Sequence, residues 1–165
     1  LLGIYPDSKF VWIVRNPFQN IRSILNRLKI PGNLQKINFE DYVELKKTPA
    51  WKLNLQSKMF GYKSQNYIEA LAFRWNHAFN IYMQNEERIA LVKYEDFLID
   101  KKNFIEKLAL EIGFSIKDDI RNHVNIQYQP KGNSDIDLKA FFGEKNYLII
   151  ETICKENMQK LGYTS

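Results

Sequence analysis

The stretch KFVWIV at residues 9–14, followed at once by Arg15, Asn16 and Pro17, constrains this chain more than any other segment. Its apolar run is rich in β-branched and aromatic residues and lacks the in-out alternation of a half-exposed strand, which predicts a strand buried on both faces. Downstream, Phe18, Ile21, Leu25 and Leu28 recur at helical spacing, with Pro17 suited to the first helical position and Asn16 to the cap. The unit is strand, turn, helix, with a permanent cation at the turn. RIALVKY at 88–94 has the same character and also leads into a helical pattern. Strands alternating with helices predict an α/β fold, a parallel sheet with helices on both faces whose ligands collect at the carboxyl ends of the strands.

The remaining segments fill in one domain over residues 1–165, a length that buries a sizeable core. Residues 30–63 are a polar-aromatic stretch with two prolines and two glycines, too irregular for a single element, and are expected to form an insertion over one face. A long helix is predicted over about 64–85, with Ile68, Leu71, Trp75, Phe79 and Tyr82 at spacings of three and four. Further helices fit 101–112, 116–124 and 144–160, the last with Tyr147, Ile150, Cys154 and Leu161 on one side.

Composition excludes some functions and leaves others open. A net charge of +5 suits a polyanionic ligand without requiring one, and the lysines and arginines are spread among acids rather than clustered with aromatics, so no nucleic-acid partner is expected. With Cys154 the single cysteine and His77 and His123 the two histidines, no internal disulfide and no metal site are expected. There is no apolar run of membrane-spanning length and no secretory layout; the expected location is cytoplasmic, unless an N-terminal anchor precedes these residues. The opening LLGIYPDSKF reads as the end of one helix, a turn and the start of a strand, and the chain is expected to begin inside a domain.

Arg15 stands where a ligand of such a sheet would bind. Its guanidinium offers a planar fork of donors to phosphate or sulfate oxygens, and the start of the next helix adds partial positive charge and N–H groups. On that helix Asn16, Asn20, Ser23 and Arg27 fall in one stripe opposite the apolar one, whereas Arg22 leaves the stripe and is expected at the surface. An arginine at a strand end also commonly serves one half of a structural ion pair, and periodicity alone does not choose between the two. Glu95 and Asp96 suit the first turn of a helix better than a catalytic pair, and His77 and His123 suit packed or solvent-facing positions on helices.

In this order, the segments resemble the sulfotransferases that use 3′-phosphoadenosine 5′-phosphosulfate. A strand, then Arg15-Asn16-Pro17, then Ser23 eight residues after the arginine is similar to the family's 3′-phosphate motif, and YPDSKFVWIV to its lead-in. RIALVKYEDFLID resembles the family's strand and YED segment, FIEKLALEIGFS the helix after it, and NYLIIETICKENMQKLGY its C-terminal helix. The resemblance implies a P-loop-like sulfotransferase fold in which Arg15 and Ser23 bind the 3′-phosphate. Tyr94 would contact adenine, unless it is a core tyrosine. Lys131 and Gly132 would hold the same phosphate from the other side, unless they form a surface turn.

That family also carries a strand-loop-helix for the 5′-phosphosulfate, and no glycine in this chain fits such a loop. The expectation is therefore the C-terminal portion of a sulfotransferase, holding half of the donor site, with no catalytic residue among those present and little activity alone. The acceptor class is a small molecule or carbohydrate with a hydroxyl or amine. Tyr42, Trp51, Phe60 and Tyr62 are candidates to line its pocket or, equally, to pack locally. A P-loop kinase-like protein and a non-enzymatic nucleotide-binding module remain alternatives, and the sequence does not indicate an oligomeric state.

Overall fold

The computed structural model describes residues 3–37, 43, 47–55, 58–126, 133 and 136–164. In chain order the elements are β1 (Phe10–Val14), α1 (Pro17–Leu28), α2 (Pro49–Leu55), a 3-10 turn (Lys58–Phe60), α3 (Tyr67–Met83), β2 (Ile89–Lys93), α4 (Tyr94–Ile99), α5 (Lys101–Glu111) and α6 (Leu138–Lys160). The chain is thus mixed α/β, and among the described residues its strands form one two-stranded parallel sheet. Two compact units divide it: Leu1–Arg15 with Ile81–Lys131, and Asn16–Asn80 with Gly132–Ser165.

The first unit is built on the sheet. β1 and β2 pair in parallel from Phe10↔Ile89 to Val14↔Lys93, and the ladder is entered by the Phe10 N–H donating to the Arg88 carbonyl at 2.8 Å. The expectation that β1 is buried on both faces is corrected here. Phe10, Trp12 and Val14 turn inward, with the Trp12 ring 5.3 Å from that of Tyr82, whereas Val11 and Ile13 are 40% and 62% exposed. The apolar run reflects β propensity on both faces, but only one of them is covered.

A helix over 116–124 is also corrected. Asp119 accepts the Arg121 N–H at 3.0 Å and the Arg121 Nε–H at 2.6 Å, a local side-chain bond that competes with helical pairing. The His123 and Val124 N–H groups then both reach the Ile120 carbonyl, at 2.9 and 3.2 Å, and a turn results.

The second unit holds most of the described core. Phe18, Ile21, Leu25 and Leu28 of α1 are all buried, as are Ile68, Leu71, Trp75 and Phe79 of α3 and Ile150, Cys154 and Met158 of α6. α1 meets α6 through Phe18, whose ring stacks on Tyr147 at 4.4 Å and meets Phe142 edge-on at 6.2 Å. α3 meets α6 where Asn76 donates to the Ile153 carbonyl at 2.5 Å and the Cys154 thiol lies 3.8 Å from the Ala72 carbonyl.

The irregular 30–63 segment contributes α2, the 3-10 turn and, among its described residues, the buried side chains of Ile30 and Leu55. It is fastened by Tyr67, which donates to the Pro31 carbonyl at 2.6 Å and accepts the Leu34 N–H at 3.1 Å. Asn146, itself buried, donates to the carbonyls of Gly32 and Leu34 at 2.7 and 3.0 Å. α6 breaks at Gly143 (φ 68, ψ 155), so its regular part begins one residue later, where the sequence pattern starts.

Candidate functional site

In the first unit the site begins where the ladder ends. Val14 and Lys93 are the last paired residues, so Arg15 and Tyr94 leave the carboxyl ends of adjacent parallel strands together. The Arg15 guanidinium carbon lies over the Tyr94 ring, 5.0 Å from its centroid. Both side chains are half-buried, which strengthens a cation–π contact by excluding water from part of it. Behind Tyr94 stands a row of rings: Phe97 at 6.3 Å, and Phe104 edge-on to Phe97 at 5.9 Å. Glu95 and Asp96 occupy the first turn of α4, where they meet the positive end of the helix.

In the second unit α1 starts as its sequence dictates. Asn16 caps it, its side-chain oxygen accepting the Phe18 N–H at 3.0 Å, and Pro17 takes the first helical position. This narrows the anion capacity expected of the helix start, since Pro17 has no N–H and that of Phe18 is already bonded. The polar stripe is as the wheel placed it: Asn20 is half-buried, and Ser23 and Arg27 are exposed. The Arg27 guanidinium lies 5.7 Å from the centroid of the Trp51 ring.

Arg22 is the largest correction among the polar residues, because it is buried, at 5% exposure, rather than on the surface. It donates through Nη2 to the Asn133 carbonyl at 2.7 Å, tying α1 to the chain just ahead of α6. The signal in the sequence was position: one residue past Ile21 and three before Leu25, Arg22 lies at the rim of the apolar face, and its charge hid that.

Lys131, Gly132 and Tyr42 lie outside the described residues. Of the aromatic candidates for an acceptor pocket, Trp51 carries Arg27, Tyr62 stacks on Phe73 at 5.1 Å and 6°, and Phe60 lies 5.0 Å from the His77 ring. Tyr62 also meets His77 edge-on at 5.9 Å, so His77 is a packed histidine. His123 is exposed in its turn. Among the described residues no group of three or more His, Cys, Asp or Glu is arranged to hold a metal ion, and no helix is long and apolar enough to cross a membrane.

The chain matches no protein-family model, no curated protein and no solved structure.

Proposed function

We propose that this chain carries the 3′-phosphate-binding half of the donor site of a sulfotransferase that uses 3′-phosphoadenosine 5′-phosphosulfate. The observation that carries the reading is Arg15, a permanent cation lying over an aromatic ring at the carboxyl ends of two parallel strands. Anionic ligands of α/β sheets collect at such ends, and a guanidinium meets a phosphate with paired, charge-assisted hydrogen bonds. Ser23, exposed on α1, supplies a hydroxyl that both donates and accepts.

The donor nucleotide brings the sulfuryl group that is transferred to a hydroxyl or amine acceptor, a small molecule or carbohydrate. In this reading the chain's own contribution is to bind and orient the nucleotide: Arg15 neutralises and bonds the 3′-phosphate, and fixing that end restricts where the rest of the donor lies. Arg15, half-buried at the strand ends, offers this half of the donor a permanent positive charge. The family's wider P-loop-like architecture and the cytoplasmic location belong to the same proposal, and no metal is called on in it.

Calorimetric titration with 3′-phosphoadenosine 5′-phosphate and with 5′-AMP tests the reading, since the two ligands differ only in the 3′-phosphate. The wild-type chain should prefer the former, and Arg15→Ala should abolish the preference, a loss of about tenfold or more for one charged contact. Equal affinity for the two nucleotides in the wild type would refute it.

A further inference from the structure

We propose that Tyr94 is a positioning residue for Arg15: its ring holds the guanidinium at the strand ends, and its contribution to binding runs through the 3′-phosphate rather than the base. This rests on the donor-site reading above. The resemblance alone would give Tyr94 to adenine, but in this structure the guanidinium carbon of Arg15 lies over the ring, 5.0 Å from its centroid. The register explains the meeting, because Arg15 and Tyr94 are the residues that follow the last paired position, Val14↔Lys93. Tyr94 is in turn braced by Phe97, 6.3 Å away and tilted by 37°, and Phe97 by Phe104. A cation–π contact acts on the charge of a guanidinium and requires no hydrogen bond from it, so the ring restrains Arg15 through its charge. A side chain with many rotamers held this way loses less freedom on binding.

The test uses the whole chain with Tyr94→Phe and Tyr94→Leu, each checked for folding by circular dichroism, against 3′-phosphoadenosine 5′-phosphate and 5′-AMP. Tyr94→Phe keeps the ring and should bind both as the wild type does. Tyr94→Leu should lower affinity for the 3′-phosphorylated nucleotide about fivefold and leave that for 5′-AMP unchanged. Weakening of both ligands by the same factor would mean adenine contact and overturn the inference, as would no change in either.

A ligand-free measurement separates this from the donor-site reading. The Arg15 Hε resonance, assigned by its loss in Arg15→Lys, should be shifted upfield by the ring in wild type and Tyr94→Phe and should return to an ordinary position in Tyr94→Leu. No shift in the wild type would overturn the inference outright. A shift accompanied by no preference for the 3′-phosphate would sink the donor-site reading and the phosphate role of Tyr94 with it, while leaving the pairing itself established.

Discussion

Arg22 and Cys154 show how single side chains in the second unit are fixed by burial. Arg22 is itself buried, and a charged donor that bonds a backbone carbonyl from a buried position contributes more than a neutral one. Arg22→Met keeps most of the volume and deletes the donor to Asn133; we expect it to lower stability by about 1–3 kcal/mol, read from the midpoint of urea unfolding at unchanged slope. A midpoint equal to that of the wild type would mean that the bond to Asn133 contributes nothing. For Cys154, burial pushes the thiol pKa up to about 12, from an ordinary value of 9.0. Below pH 9 both folded and unfolded chains keep this proton. Above it the unfolded chain ionises first, so stability from this group falls as pH rises from 9 toward 12. The thiolate is the reactive form, so a thiol reagent at pH 8 should label Cys154 only after denaturant is added. Rapid labelling of the native chain would contradict the burial.

At the scale of elements, two glycines fix how α6 is built and how the segment after α1 packs on it, for different reasons. A Cβ on Gly32 would lie 2.5 Å from the Phe141 ring and 2.8 Å from its carbonyl, so nothing larger than glycine fits there without movement. At Gly143 there is room, the nearest atom being 3.5 Å away, but the backbone at φ 68 and ψ 155 is one that side chains resist. Gly32→Ala should destabilise by about 1–3 kcal/mol through overpacking, and Gly143→Ala by a similar order through backbone strain. Trimming Phe141 to Leu should recover part of the first loss and none of the second, in thermal unfolding of the double variants. Equal recovery in both would contradict the distinction.

The elements that were legible in the sequence were those whose signals agree. α1 had its cap, its proline and four apolar residues in step, and the structure buries all four. The parallel pair was legible from residue type, but the open side of β1 was not, since Val11 and Ile13 look the same in sequence whether or not anything covers them. The 116–124 helix failed because Asp119 bonds Arg121 locally, a competition that apolar spacing does not register. The place of Arg15 directly after a strand was legible. Its contact with Tyr94 was not, because it depends on the register of strands far apart in sequence.

Over the whole chain, burial is distributed unevenly between the two units. In the second, α1, α3 and α6 all bury apolar side chains, whereas in the first neither α4 nor α5 has a buried residue and Ile99 is 85% exposed. Elements with few buried contacts open at lower free energy. Amide exchange should therefore be fastest over 94–126 and slowest in α1, α3 and α6, and uniform protection would contradict this. Arg15 and Tyr94, which carry the proposal, both belong to the less buried unit. The most direct test of the central claim is the phosphorus NMR spectrum of 3′-phosphoadenosine 5′-phosphate as this chain is added. If Arg15 grips the 3′-phosphate, that resonance should shift or broaden well before the 5′ resonance does, and Arg15→Ala should remove the difference. Equal effects on the two resonances, or an effect on the 5′-phosphate alone, would contradict the account.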